Sequence, residues 1–433
     1  MTTARNLVVA AVVLAAVAAF FWSLPQPDRP ASRPAAAGFV VRDVRVFDGE
    51  QVRPRATVVV REGRIVAVGE DVAVPTDLPA VDGAGRTLLP GLIDAHVHVW
   101  GRALEEALNF GVTTALGMFG DPAALRELRP QRESLAPTAV ADFFSAGWLA
   151  TPPGGHGTQF GLPVPTLTTP GEADSWVAAR LAEGSDYIKI VYEPKDASGL
   201  GPPFPSLDAP TMRALIAATH ARGRSAMVHI SRLEPARAAV EAGADGLVHV
   251  FADRPADEAF ISLASERGSF VTPTLAVTAS AAGAGDGAAV ADDPRVAPFL
   301  SPSQRETLTL AYPRRLAFLN PAIGMDATRR LADAGVDILA GSDAPNPGTA
   351  HGVSLHHELV LLVAAGLSPS EALAAATSAP ARCDRGRIAP GLRADLLLVA
   401  GDPTQDIAAT LAIERIWKNG APVERRRYTP AQP

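Results

Sequence analysis

Between about residues 88 and 386 the chain alternates two kinds of pattern. Short apolar runs recur: an opening run ending "LIDAHVHV", then "GVTTALGM", "TAVADFFSAG", "DYIKIVY", "RSAMVHI", "DGLVHVF", "SFVTPTL" and "VDILAGSD". Between several of them lie segments with the 3.6-residue period of an amphipathic helix, such as "TMRALIAATHARG", "RLEPARAAVEAGA" and "DATRRLADAGV". Each of these three ends at or near a glycine, the residue that closes a helix most easily. Eight candidate strands alternating with helices predict parallel βα units and, in the number found, an α/β (β/α)8 TIM barrel. A doubly wound open sheet is the alternative, but no G-x-G-x-x-G follows the first strand, which weighs against its dinucleotide-binding form.

The two ends of the chain read differently. Residues 38–86 alternate apolar and polar positions with period two, and "ATVVVREGRIVAVGE" has the form of a hairpin around "REG". The strand character returns in "GRIAPGLRADLLLVA" and "IERIWKNGAPVE", with Asn-Gly at a turn. One small β-sandwich built from residues 37–87 and 387–426, flanking a barrel of 88–386, accounts for both. Residues 278–303 are Ala/Gly-rich and weakly patterned, and are expected to form a loop with a short helix. Ser368, Pro369 and Glu371 predict a capped helix start.

Residues 1–36 stand apart. A positive start, an uncharged apolar stretch over 7–22 and a Pro/Ala-rich linker have the form of an export signal or a membrane anchor. The apolar stretch is just short of the about 20 residues that span a bilayer comfortably. Cleavage after Ala18 or after Ala37 fits small-residue sites. The expectation is a catalytic domain working outside the cytoplasm, periplasmic, extracellular or attached to a membrane.

Composition narrows the chemistry. The chain has 433 residues, 47% of them apolar, ample for a large core, and a formal net charge of −7. No basic tract marks a nucleic-acid footprint. The single cysteine, Cys383, excludes an internal disulfide and a thiolate metal cluster. No G-x-S-x-G elbow is present, and "HHELVLL" fails as H-E-x-x-H because Leu361 stands in the second ligand position, leaving His356, His357 and Glu358 with a structural reading.

What remains is the set of polar residues at strand ends. His96 and His98 close the first apolar run, two residues apart, so both rings point to one side of a strand. Lys189 sits between Ile188 and Ile190. His229 and His249 end two runs about one βα unit apart, and Asp343 follows the last. In an α/β barrel these ends form the active face. A lone strand-end histidine is usually a hydrogen-bonded core residue. An HxH pair joined by two more histidines and an aspartate favours metal binding. A lysine buried among cation ligands would be costly as an ammonium; conversion to a carbamate removes the cost.

"LPGLIDAHVHV", "YIKI", "VHIS", "LVHVF" and "AGSDAPNPGTAHG" together resemble the amidohydrolase superfamily, over about residues 38–425. The resemblance implies two divalent ions, zinc by default. His96, His98 and Asp343 would bind one and His229 and His249 the other, with Lys189, carboxylated by CO2, bridging them. It implies hydrolysis of a C–N amide bond in a dipeptide, N-acyl amino acid or similar small amide by a hydroxide held between the ions, with Asp343 moving the proton. "TPPGGHGTQFG" is similar to the imidazolonepropionase-like and prolidase-like branch and brings His156 to the substrate, polarising the scissile carbonyl or gripping a carboxylate. Tyr192 and His351 are the further pocket candidates. The strand of Lys189 continues as "IVYEPKD", where many peptidases of this branch have a small glycine-rich turn. A lactonase or phosphotriesterase on the same centre, and more remotely a non-catalytic binding barrel, stay open. Besides a small amide, the partner expectations are a membrane, through the N-terminal segment, and further copies of the chain.

Overall fold

A computed structural model describes residues 38–193 and 204–428 of the protein. The expected export segment, with both cleavage candidates, lies outside the described residues, as do Pro194, Lys195 and Asp196 of "IVYEPKD". Among the described residues no helix is long and apolar enough to cross a membrane.

The first strands form as their pattern dictates. β1 (Gly38–Phe47), β2 (Val52–Arg61) and β3 (Arg64–Gly69) make an antiparallel meander. The β2–β3 turn is Glu62-Gly63, both with positive φ (49° and 78°), the twist-matched geometry of a two-residue hairpin. β1 carries register shifts around Asp43, whose φ is 55°. The irregularity bends the strand, so its first half pairs with β4 (Ala80–Asp82) and its second with β5 (Arg86–Pro90).

The chain then passes directly from β5 into β6 (Leu92–Val97) through Gly91. A Cβ at Gly91 would stand 2.2 Å from Thr113 Oγ1, so no larger residue fits this crossing. β6, β7 (Val112–Gly117) and β8 (Asp142–Ser145) form one parallel sheet. β9 (Ile188–Val191), β10 (Ala226–His229), β11 (Gly246–Val248) and β12 (Phe270–Thr272) form another. Isolated parallel bridges link them at Ala150–Ile190, Val271–Ile338 and Val97–Ala344. The segment carrying Asp343 therefore lies between β12 and β6, with Leu339 N donating to Val271 O (2.8 Å) and Ala95 N to Ala340 O (2.9 Å). The predicted strand "VDILAGSD" is present only as this bridged segment. Asp343 has φ 52°, and a backbone turned into the left-handed region cannot continue a regular ladder.

Two expectations need correction. "SFVTPTL" yields only the three residues of β12, because a helix, Leu275–Ala281, starts within it. The expected loop over 278–303 is mostly helical, with further helices at Gly287–Asp292 and Pro302–Thr309. Alanine-rich sequence has high helix propensity even where its apolar period is weak. The helix at Pro369–Ala375 carries the expected reciprocal cap of Ser368 and Glu371.

After the parallel strands, β13 (Leu396–Ala400) pairs antiparallel with β5, followed by β14 (Ile413–Lys418) and β15 (Ala421–Val423). The β14–β15 turn is Asn419-Gly420, again with both φ positive. Instead of a two-sheet sandwich, both chain ends share one eight-stranded sheet. It curls around its own core, where Phe39 of β1 stacks on Trp417 of β14 at 4.6 Å.

A buried ionic network ties this sheet to the parallel strands. Lys418 Nζ donates to Asp142 and Asp395 (2.7 Å each), and Arg385 Nε donates to Asp142 (2.6 Å). Lys418 is fully buried. Removing one partner of such a set strands the others without water, which costs about 3 kcal/mol or more. Lys418→Met is expected to lower unfolding free energy by that amount in urea titrations; a loss under 1 kcal/mol rules the role out.

Candidate metal centre

Six of the predicted residues converge. His96 sits inside β6 and His98 one step beyond its end. Lys189 and His229 are in β9 and β10, and His249 directly follows β11. Strand alternation aims these side chains at one interior point. His98 Nε2 lies 2.9 Å and His96 Nε2 3.3 Å from Asp343 Oδ1; His249 Nε2 lies 3.9 Å from Asp343 Oδ2. Lys189 Nζ is 3.4 Å from His96 Nε2. The His229 and His249 rings meet edge to face at 4.7 Å, and His96 stacks on His249 at 4.8 Å.

Burial sets the charge states. It pushes the imidazoles of His96 and His229 well below their ordinary value and His249 down to about 4, with Lys189 adding to each shift. These rings are neutral at neutral pH, the form that ligates metals. Burial lowers Lys189 to about 8, against the pull of Asp343. Burial alone would raise Asp343, but the facing imidazoles outweigh it and hold the carboxyl well below its usual range.

The donor set fits a divalent cation. Ligand atoms of His96, His98 and Asp343 lie within 4.8 Å of one another. Asp343 Oδ1 is buried and accepts no hydrogen bond from any described residue, although two imidazole nitrogens face it. A cation held between these three ligand atoms would satisfy them together. Two nitrogens and a carboxylate oxygen suit zinc and similar ions.

Several further residues hold this cluster, and of these the sequence singles out only Glu193, in "IVYEPKD". Asp94 accepts from Ser342 N (3.0 Å), Ser342 Oγ (2.6 Å) and His96 N (3.2 Å), locking β6 to the Asp343 segment. Asn346 Nδ2 donates to Asp343 O (2.7 Å), and Tyr312 Oη donates to Asn346 Oδ1 (3.3 Å). Glu193 accepts from Ser231 N (2.5 Å) and Arg232 Nη1 (3.0 Å), fixing the backbone just after His229. A polar side chain inside an apolar run, as at Asp94, was the available signal.

The three substrate candidates separate. His156 stands 5.0 Å from the His229 ring, carried there by a loop with Gly154 and Gly157 in the left-handed region (φ 72° and 96°). Burial lowers its imidazole to about 3. His351 lies beside His98 with Nε2 buried and without a described partner, and burial lowers it to about 3. Tyr192 does not join them. Counting from inward Lys189, the alternation turns residue 192 outward. Tyr192 is buried in the same apolar cluster as Leu207 and Met212, and the charges acting on it are Arg213, Asp208 and Glu193. His356 is structural, bonded to Phe110 O and Thr410 Oγ1.

The pattern of the amidohydrolase family matches residues 87–423. The imidazolonepropionase of Salinispora arenicola is 27% identical over 424 residues, spanning 89% of this chain and 97% of the relative. A protein from Bifidobacterium longum assigned as a prolidase superposes with a TM-score of 0.69 at 26% identity, covering 90% and 95% of the two chains. A Xaa-Pro dipeptidase with bound methionine in its active site gives 0.68 at 23% identity over 89% of this chain and 100% of its own, a likeness of fold. Such neighbours imply a TIM barrel with an extra domain.

Proposed function

The chain belongs to the amidohydrolase family, hydrolases of C–N bonds that are generally metal-dependent, and on that footing we propose that it cleaves a dipeptide or other small amide at a two-metal centre. The observation that carries the reading is the convergence of four histidines, Lys189 and Asp343 at one buried point. His96, His98 and Asp343 would hold one ion, and His229 and His249 the second. Lys189, carboxylated on Nζ, would reach both. Bound divalent ions there supply Lewis acidity, lowering the pKa of water and polarising a carbonyl.

The chain's own residues do the rest. Asp343, kept ionised, takes the proton of the attacking water and gives it to the departing nitrogen. His156, neutral and beside His229, is set to donate a hydrogen bond to the carbonyl oxygen as charge develops. His351 borders the substrate space next to His98. The same reading takes the bridged segment 337–344 as the eighth stave that closes the barrel. It also places the enzyme outside the cytoplasm, on the strength of the apolar stretch over 7–22.

The test is turnover by protein loaded with Zn2+ in bicarbonate. The substrates are Xaa-Pro and other dipeptides, N-acyl amino acids, imidazolonepropionate and lactones. Amide cleavage is the expected outcome. Turnover confined to lactones overturns the amide assignment, and turnover confined to the imidazolone moves the protein to the activity its relative is named for.

A further inference from the structure

Among the four histidines, His249 is distinguished by its Nδ1. The Nδ1 atoms of His96, His98 and His229 have no partner among the described residues. His249 Nδ1 lies 2.5 Å from Thr274 Oγ1. Thr274 is fully buried and has φ 51° and ψ 52°. A β-branched residue in the left-handed region is strained by about 1–2 kcal/mol, so something must hold it there.

Thr274 occupies the N-cap of the helix Leu275–Ala281. An N-cap threonine ordinarily spends its hydroxyl on the free N–H groups of its own helix. Here it makes no such bond. Those N–H groups are taken by Glu358, from the helix Val353–Ala365, which is remote in sequence: Leu275 N donates to Oε1 (2.8 Å) and Ala276 N to Oε2 (2.9 Å). Glu358 is itself fully buried. The capping task has moved to another helix, and the threonine hydroxyl is released toward the histidine.

We propose that Glu358 and Thr274 act as positioning residues for His249: Glu358 caps the helix in place of Thr274, and the freed hydroxyl accepts the Nδ1 proton of His249, leaving the lone pair on Nε2 turned toward Asp343. The inference rests on the metal reading for its consequence. The tautomer it specifies is a property of the metal-free protein. Hydrogen-bonded partners of this kind fix ring orientation and change metal affinity about 10–100-fold.

The experiment compares wild type with Thr274→Val, Thr274→Ser and Glu358→Gln. Valine keeps the shape and the backbone strain of threonine and removes only the hydroxyl. Long-range 1H–15N spectra of the metal-free protein are expected to show His249 protonated on Nδ1. Zn2+ titration against a competing chelator is expected to show affinity for the second ion falling about 10-fold or more in Thr274→Val, and staying within about 3-fold of wild type in Thr274→Ser. Glu358→Gln is expected to shift in the same direction as the valine variant. Unfolding midpoints of the metal-free forms separate this from loss of fold. An Nε2-protonated His249 in wild type, or wild-type affinity in Thr274→Val, overturns the inference. A wild type that binds one ion only sinks the two-metal reading instead, and the His249 spectrum then decides the positioning inference by itself.

Discussion

Asp343→Asn is expected to cut kcat by about 10³-fold or more while the protein stays folded and keeps much of its metal. The substitution preserves shape and one oxygen toward His96 and His98, so part of the ligand set survives. It removes the charge that accepts a proton. The burial around Asp343 makes the loss severe, because it is the carboxylate that the His96, His98 and His249 imidazoles face. A 10³-fold loss corresponds to about 4 kcal/mol of transition-state stabilisation. The measurement is steady-state kcat beside elemental analysis of bound metal. Turnover within about 10-fold of wild type would remove Asp343 from the proton path.

Lys189→Ala is expected to lose metal and activity together, and to regain part of both when a short carboxylic acid is added. Lys189 is 1% exposed, and its Nζ lies against His96. Burial lowers it to about 8, which raises the share of free amine near neutral pH. A free amine attacks CO2 at carbon and releases a proton, giving an anionic carbamate. A small carboxylate can occupy the space alanine leaves and would supply the negative charge that the carbamate would bring to the metal ligands. Metal analysis and turnover, each with and without added acid, check this. An alanine variant that retains two ions, or that no acid rescues, argues against the carbamate.

Two of the structural corrections share one cause. Tyr192 is a pocket candidate because "IVYEPKD" stands where a glycine-rich turn is common, but the period of two counted from Lys189 turns it outward. The segment 278–303 has a weak apolar pattern, but its alanine content favours helix regardless of periodicity. In both places a local property of the chain decides the outcome. The single curled sheet is different. Its shape depends on the bend around Asp43, which lets β1 pair with β4 and β5 in turn, and no periodicity announces a bulge.

By itself the sequence determined the strand ends and what they carry. His96 and His98 share a face because the backbone repeats every two residues; His229, His249 and Asp343 follow because each closes an apolar run, and Lys189 because it is a lone charge inside one. Those are local properties, written within a few residues of each site. The tertiary structure alone decided the partners. Asp94 meets Ser342, Glu358 caps the helix that follows Thr274, and Lys418 meets Asp142, each across a long stretch of chain. A side-chain hydrogen bond depends on where packing brings two distant elements together. Only the folded chain supplies that distance.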